Sequence, residues 1–268
     1  IKEEKGKYCP FEKIPHGLTE YTEWGPHEID GEKALLVGDL HIPWHARKEI
    51  IMAFKFAKKE KIDTIVFAGD TYDFYRESSF VTDPRMRDFK GELEIGYAFF
   101  DVLRDIFPDT KMIFLEGNHE LRHLRYMRVK APELLCLEIV RLEDLIKSEK
   151  YNLEVVKEKR ILRFGRLNII HGHEFGRGTS SPVNAARTFF LKGKENAVGF
   201  HYHQTSEHTE KTLNGNIVGC WSGGCLCDLH PDYATINRWN HGFAISTRIG
   251  SNGNFKVDNY RIINGEIY

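Results

Sequence analysis

The hydrophobic pattern changes character along the chain. Before residue 31 there is little periodicity, and turn formers such as Pro10, Pro15 and Gly17 recur, which predicts an extended N-terminal arm over residues 1–33. From residue 34 onward, short apolar runs alternate with amphipathic segments, a pattern typical of βαβ units. The sequence therefore predicts an arm followed by one globular domain, residues 34–268.

The first half of this domain combines buried strands with amphipathic helices. In the segment 46–61, Ile50, Ile51, Phe54 and Ala57 recur at helical spacing. The predicted strands are 34–38, 64–69 and 111–116, and the predicted helices are 46–61, 88–107, 120–130 and 132–146.

The second half has short strands separated by Gly and Asn turns, with one helix near residues 182–191. Because the parallel strands of the first half need cover on both faces, the simplest assembly is two stacked β-sheets flanked by helices. The predicted strands here are 153–156, 161–164, 167–170, 197–200, 217–221, 243–248 and 255–261.

Composition narrows the functional classes. The 268 residues are 41% hydrophobic, with 38 basic against 39 acidic side chains, so no global field attracts the chain to nucleic acid or anionic lipid. No apolar run reaches the length of a membrane span, which predicts a cytoplasmic protein with no membrane partner. The five cysteines indicate reduced thiols, and we favour buried, inert thiols over a zinc site for Cys220, Cys225 and Cys227.

Polar residues follow five of the apolar runs at the point where each run ends. Since the carboxyl ends of parallel strands converge on one crevice, we expect these residues to lie close together. A spacing of one residue would place both members of a pair on the same side of an extended segment. The five groups are Asp39-x-His41, Asp70-x-x-Asp73, Asn118-His119-Glu120, His171-Gly172-His173 and His201-x-His203.

The donors in these groups are carboxylates, imidazoles and one carboxamide, a mixture that suits borderline divalent cations. Seven donors are too many for one ion but fit two ions, with Asp70 as the bridging carboxylate. We favour manganese, with iron, zinc, nickel or cobalt as alternatives. The predicted ligands are Asp39, His41, Asp70, Asn118, His171, His201 and His203.

These motifs, in this order between residues 39 and 203, resemble the five motifs of the calcineurin-like metallophosphoesterase superfamily. The resemblance implies a four-layer α/β/β/α sandwich of two mixed β-sheets flanked by helices, so residues 34–268 would form a metallophosphoesterase domain. It assigns one ion to Asp39, His41, Asp70 and His203, and the other to Asp70, Asn118, His171 and His201.

The sequence departs from the family pattern at two positions. Phe200 stands between Gly199 and His201, where the family has Gly directly before the histidine. Phe74 replaces the Arg that eukaryotic-type phosphoprotein phosphatases have after the second motif. The stretch 224–233 is similar to calcineurin-like phosphoesterases encoded by bacteriophages.

The implied chemistry is hydrolysis of a phosphate ester. Two cations would lower the pKa of a bridging water and hold the hydroxide in line with phosphorus. His119 is predicted to protonate the leaving oxygen, with Asp73 orienting its imidazole.

Three further residues are predicted substrate contacts: Arg122, His173 and Arg177. For Arg122 the alternative is a solvated helix face, and for Arg177 it is a surface loop. Glu120 is expected only to favour the start of its helix through the helix dipole.

The sequence leaves the substrate open. We expect a phosphodiester or nucleic-acid-related substrate, with a phosphomonoester of protein or nucleotide as the alternative. A noncatalytic scaffold and a single-metal hydrolase of amides or esters are the less favoured readings. The predicted partner is therefore a phosphate-ester substrate, with nucleic acid as the candidate macromolecule.

Overall fold

The computed structural model describes residues 13–15, 25–157, 160–176, 183–231, 234 and 236–268. Its larger sheet has seven strands, of which β2 to β5 are mutually parallel and β11 runs antiparallel to β2. In spatial order these strands are β13 (Glu266–Ile267), β12 (Asn254–Ile263), β11 (Gly242–Ile249), β2 (Lys33–Val37), β3 (Thr64–Ala68), β4 (Lys111–Leu115) and β5 (Leu153–Val156).

The second sheet has six strands and is also mixed. The β7–β8 and β8–β10 pairs are parallel, whereas β6–β7 and β9–β10 are antiparallel. In spatial order the strands are β1 (His27–Glu28), β6 (Leu162–Phe164), β7 (Leu167–Ile169), β8 (Ala197–Gly199), β10 (Ile217–Gly223) and β9 (Thr205–Lys211).

Five α-helices accompany the sheets within the described residues. The longest begins after Asp88, whose side chain accepts a hydrogen bond from the Gly91 N–H and so caps the helix. Asn184 caps the last helix in the same way through the Arg187 N–H. The helices are α1 (Arg47–Lys59), α2 (Phe89–Ile106), α3 (Glu120–Lys130), α4 (Leu142–Leu145) and α5 (Ala185–Gly193).

Strand alternation builds the layers. In β3, Ile65 and Phe67 belong to the core beneath α1 and α2, whereas Val66 belongs to the core between the two sheets. On the far side of the six-stranded sheet, Phe189 and Phe190 of α5 complete a third apolar cluster. The order is therefore helices, sheet, sheet, helix, which confirms the predicted four-layer α/β/β/α sandwich.

The structure corrects some predicted elements. Residues 132–146 do not form one helix: two 3-10 turns, Pro132–Cys136 and Glu138–Val140, precede the short α4. Leu137 and Ile139 are 45% and 71% exposed, so no buried face stabilises a continuous helix. Strands β1, β9 and β13 were not predicted, because β1 and β13 are only two residues long and β9 (TSEHTEK) has almost no apolar residues.

The predicted N-terminal arm falls mainly on residues 1–12 and 16–24, which lie outside the described residues, so the boundary at residue 33 stays a prediction. Among the helices in the described part of the chain, none is both long and apolar enough to cross a membrane.

Candidate metal centre

The candidate ligands sit on loops that leave the carboxyl ends of five strands. Asp39, Asp70 and Asn118 follow β2, β3 and β4 of the seven-stranded sheet, whereas His171 and His201 follow β7 and β8 of the other sheet. The donors therefore come together where the carboxyl ends of strands from the two stacked sheets lie side by side.

The backbone of these loops is not extended, which corrects the alternation argument for the paired ligands. Asp39, His41, Asp70, His201 and His203 have φ values of 51°, 50°, 51°, 69° and 56°, in the left-handed region that non-glycine residues seldom occupy. The side chains converge because the loops curl at each of these residues. Such strain is typical of functional sites.

One group of donors surrounds Asp39. Nε2 of His41 lies 3.2 Å from Nε2 of His203, and Oδ1 of Asp39 lies 3.8 Å from the first and 3.4 Å from the second. Oδ2 of Asp70 is 4.0 Å from Nε2 of His41.

A second group shares Asp70 with the first. Nε2 of His171 lies 3.2 Å from Oδ2 of Asp70 and 3.2 Å from Oδ1 of Asn118. Donor atoms of Asp70, His171 and His201 all lie within 4.8 Å of one another. His201 and His203 therefore belong to different donor groups.

One histidine in each group has a hydrogen-bond partner at its Nδ1. Nδ1 of His171 lies 2.9 Å from the carbonyl oxygen of Ala68, and Nδ1 of His41 lies 3.0 Å from Oδ2 of Asp73. Partners of this kind fix the tautomer that leaves Nε2 available to a metal. The backbone N–H of His119 likewise donates to Oδ1 of Asp70, so that Oδ2 faces the donors.

The residues present fit divalent cations. Oδ1 of Asp39 is buried and has no hydrogen-bond partner among the described residues, an arrangement that a cation would satisfy. Burial opposes the charged form of His171 and of His203, yet Asp70 and Asp39 outweigh it and raise the pKa of each imidazole to about 10. The carboxylates thus favour positive charge where the histidines meet.

His119 and Asp73 lie beside the donors. Nδ1 of His119 is 3.0 Å from the main-chain oxygen of Asp73 and 3.4 Å from its Oδ2, so both groups of Asp73 orient the ring. Nε2 of His119 is 3.7 Å from Oδ2 of Asp70. A donor atom of His119 also lies within 4.8 Å of donors of Asp70 and His41, so a ligand role is geometrically open to it.

Two of the three predicted substrate contacts are near this centre. Arg122 donates to the main-chain oxygen of Asp73 at 2.8 Å, and its Nη2 lies 2.9 Å from Nε2 of His119. The ring centroid of His173 lies 5.2 Å from that of His171. Arg177 falls outside the described residues.

The role of Glu120 was missed by the sequence analysis. Its buried carboxylate accepts hydrogen bonds from the backbone N–H groups of Asp70, Thr71, Tyr72 and Gly117, at 2.8 to 3.0 Å. Burial and the charge of Asp70 raise its pKa to about 7. Glu120 therefore holds the Asp70 loop as well as beginning α3.

Other supporting residues also lacked a sequence signal. Glu174 accepts hydrogen bonds from the N–H groups of His171 and Gly172, and so fixes the turn that carries His171. Sγ of Cys227 lies 3.8 Å from Nδ1 of His203, and the Trp239 ring centroid lies 4.1 Å from that of His203.

Phe200, the residue that departs from the family pattern, is fully buried between the sheets. A Cβ atom at Gly38 or Gly223 would lie 2.5 or 2.4 Å from its ring. The absence of side chains at these two glycines makes room for it.

The cysteines do not form a three-thiol metal site within the described residues. Cys220, Cys225 and Cys227 are buried free thiols, and Sγ of Cys220 donates to the carbonyl oxygen of Glu195.

A four-layer sandwich with oxygen and nitrogen donors gathered at its strand ends defines an α/β protein with a candidate metal centre. The family model for calcineurin-like phosphoesterases matches residues 33–219, well over half of the chain. The chain belongs to the calcineurin-like phosphoesterase family.

Several solved structures align with this chain at low sequence identity. A Vps29 single mutant from Entamoeba histolytica is 12% identical with a TM-score of 0.43, and the match covers 88% of this chain and 96% of that one. Vacuolar Protein Sorting 29 from Cryptosporidium parvum is 15% identical with a TM-score of 0.45, covering 89% and 95%. The nuclease MPE from Pseudomonas putida is 11% identical with a TM-score of 0.41, covering 87% and 85%. The search of curated proteins found no match.

Proposed function

We propose that this chain is a phosphoesterase that works with two divalent cations and acts on phosphodiesters. The observation that carries the proposal is the position of Asp70, which belongs to both donor groups: its Oδ2 lies 3.2 Å from Nε2 of His171 and 4.0 Å from Nε2 of His41. A carboxylate in that position is suited to bridge two ions.

The two donor groups would each hold one ion. When bound, the ions would neutralise charge on the phosphoryl oxygens and activate water. The first group comprises Asp39, His41, Asp70 and His203, and the second comprises Asp70, Asn118, His171 and His201.

The chain itself would supply the proton for the leaving group. Burial opposes a charged His119, but Asp70 and Asp73 outweigh it and raise the pKa of the imidazole. Because Nδ1 is held at Asp73, Nε2 is the atom that would carry the proton to the leaving oxygen, once it releases Nη2 of Arg122, which lies 2.9 Å away.

The preference for diesters rests on the stretch 224–233, which is similar to bacteriophage-encoded members of the family. A phosphomonoesterase is the second candidate, and Arg122 favours it. Its guanidinium is 17% exposed and lies next to His119, where it would suit the dianionic end of a monoester.

Metal content and a small substrate panel test the proposal. The protein loaded with Mn²⁺ should bind two equivalents and hydrolyse bis-p-nitrophenyl phosphate faster than p-nitrophenyl phosphate. Faster hydrolysis of the monoester would support the second candidate. Two bound ions without hydrolysis would indicate a noncatalytic protein, and one bound ion with activity would contradict the two-metal site.

Asp39→Asn provides a matched test of the first donor group. It should lower both metal content and turnover, because one oxygen of the buried donor is lost. The control is Asp101→Asn, which removes a carboxylate from an exposed ion pair with Lys150. Equal metal content and activity in the two variants would contradict the assignment of Asp39.

A further inference from the structure

Three partly exposed aromatic side chains lie close to the candidate metal ligands. Trp239 packs on His203, with ring centroids 4.1 Å apart. Trp44, three residues after His41, and Tyr75, two residues after Asp73, form an edge-to-face pair with centroids 6.0 Å apart. None of the three belongs to the apolar core clusters formed by the described residues. We call Trp44, Tyr75 and Trp239 the aromatic rim.

The rim residues adjoin the donor group of Asp39, His41 and His203. The N–H of Trp44 donates to the main-chain oxygen of His41 at 2.6 Å. Tyr75 comes two residues after Asp73, whose Oδ2 is 3.0 Å from Nδ1 of His41. Trp239 contacts His203, whose Nε2 is 3.2 Å from Nε2 of the same imidazole. The Trp239 ring therefore lies at this donor group, and Trp44, with Tyr75 packed on it, is joined to the same group through the backbone of His41.

Two rim residues have an exposed arginine next to them in the sequence. Arg76 directly follows Tyr75 and Arg238 directly precedes Trp239, and both arginines are exposed. Aromatic side chains combined with basic residues are the usual means by which proteins bind single-stranded nucleic acid, since bases stack on the rings and the cations follow the phosphates.

We propose that the aromatic rim stacks the bases that flank the scissile phosphate, so that the substrate class is single-stranded nucleic acid or a nucleoside phosphodiester. This inference rests on the proposed phosphoesterase function. It assigns substrate recognition to Trp44, Tyr75 and Trp239, outside the metal ligands and His119.

Binding isolates the stacking contribution. A fluorescein-labelled twelve-nucleotide oligothymidylate is compared by fluorescence anisotropy with an abasic oligomer of the same length, with Ca²⁺ in place of Mn²⁺ to suppress hydrolysis. The two probes carry the same phosphates and differ in their bases. We expect the wild type to bind the thymidylate at least about tenfold more tightly, the scale of one or two stacked bases.

The variants test the assignment to the rim. Trp239→Leu should abolish most of the preference for the thymidylate, and Trp239→Tyr should restore it because a ring is retained. The matched control is Trp221→Leu, at a half-buried tryptophan that packs on Phe255 in the core between the sheets. Equal binding of the two probes by the wild type would overturn the inference. Equal weakening of both probes in Trp239→Leu, or no recovery in Trp239→Tyr, would also overturn it.

Kinetics separate this inference from the function on which it rests. Thymidine 5′-(p-nitrophenyl phosphate) and methyl p-nitrophenyl phosphate differ only in the nucleoside, so their ratio of kcat/KM reports base recognition. We expect Trp239→Leu to lower this ratio about tenfold, mainly through KM. A ratio near one in the wild type would refute the rim while leaving the phosphoesterase intact. If neither ester is hydrolysed, the proposed action on phosphodiesters fails, and the binding comparison still decides whether the rim recognises bases.

Discussion

Replacing Glu120 by Gln tests how the chain holds its bridging carboxylate. One carboxylate oxygen accepts the N–H groups of Thr71 and Tyr72, and the other accepts those of Asp70 and Gly117. Whichever way a glutamine carboxamide is turned, its NH₂ group faces two of these donors. Two buried N–H groups therefore lose their acceptor.

The expected cost follows from that count. A buried donor without a partner costs roughly 1–3 kcal/mol, so Glu120→Gln should lower the free energy of unfolding of the metal-loaded protein by about 2–6 kcal/mol. Because the Asp70 loop is released, the metal dissociation constants should also rise about 10–100-fold, as for other residues that orient metal ligands.

The assay combines urea unfolding of the loaded protein with a metal titration of the stripped protein, both at pH 8.5, above the pKa of about 7 to which burial and Asp70 raise Glu120. Glu92→Gln is a matched control: this carboxylate is also buried, and burial raises its pKa to about 8, but it accepts the N–H of Phe74, which is not a candidate ligand. Glu92→Gln should lower stability with a smaller effect on metal affinity. Wild-type metal affinity in Glu120→Gln would refute the reasoning.

Three further predictions concern single side chains. His119→Ala should retain both ions by elemental analysis and lose about 10²–10⁴-fold in kcat, whereas loss of metal would identify His119 as a ligand. Cys227→Ala should weaken the binding of one ion about tenfold, because Nδ1 of His203 loses its partner. Cys220→Ala is the control and should leave metal affinity unchanged. Equal metal affinities in the two variants would show that Cys227 does not support His203. Burial opposes a charged His123, but Glu77, 3.0 Å away, outweighs it and raises the pKa above the usual 6.5. The stabilisation by this pair is thus complete below pH 6.5 and lost as the pH rises through the raised value. The difference in unfolding free energy between wild type and Glu77→Gln should shrink over that interval, and a constant difference would contradict the assignment.

The sequence by itself determined the layers and the donors. Apolar runs bounded by turns placed β2, β3 and β4 within a residue or two, because buried parallel strands are nearly continuous in apolar residues. The polar groups that follow these runs were also recognisable in the sequence, because carboxylates and imidazoles have no reason to follow five separate buried strands unless they are used together.

Only the tertiary structure decided how those groups are arranged. Curled backbone at residues such as His201 and His203 has no local signature, so the spacing suggested an extended segment with both imidazoles on one side, whereas the fold turns them toward different donor groups. Glu120 and Cys227 act through contacts with residues far away in the chain, which no local pattern encodes. The helix predicted over 132–146 failed for the same reason: the fold buries Leu142 and Ile146 but leaves the apolar residues of 132–140 without a buried surface to pack against. Local composition selects side chains for burial or chemistry, and long-range packing decides which of them meet.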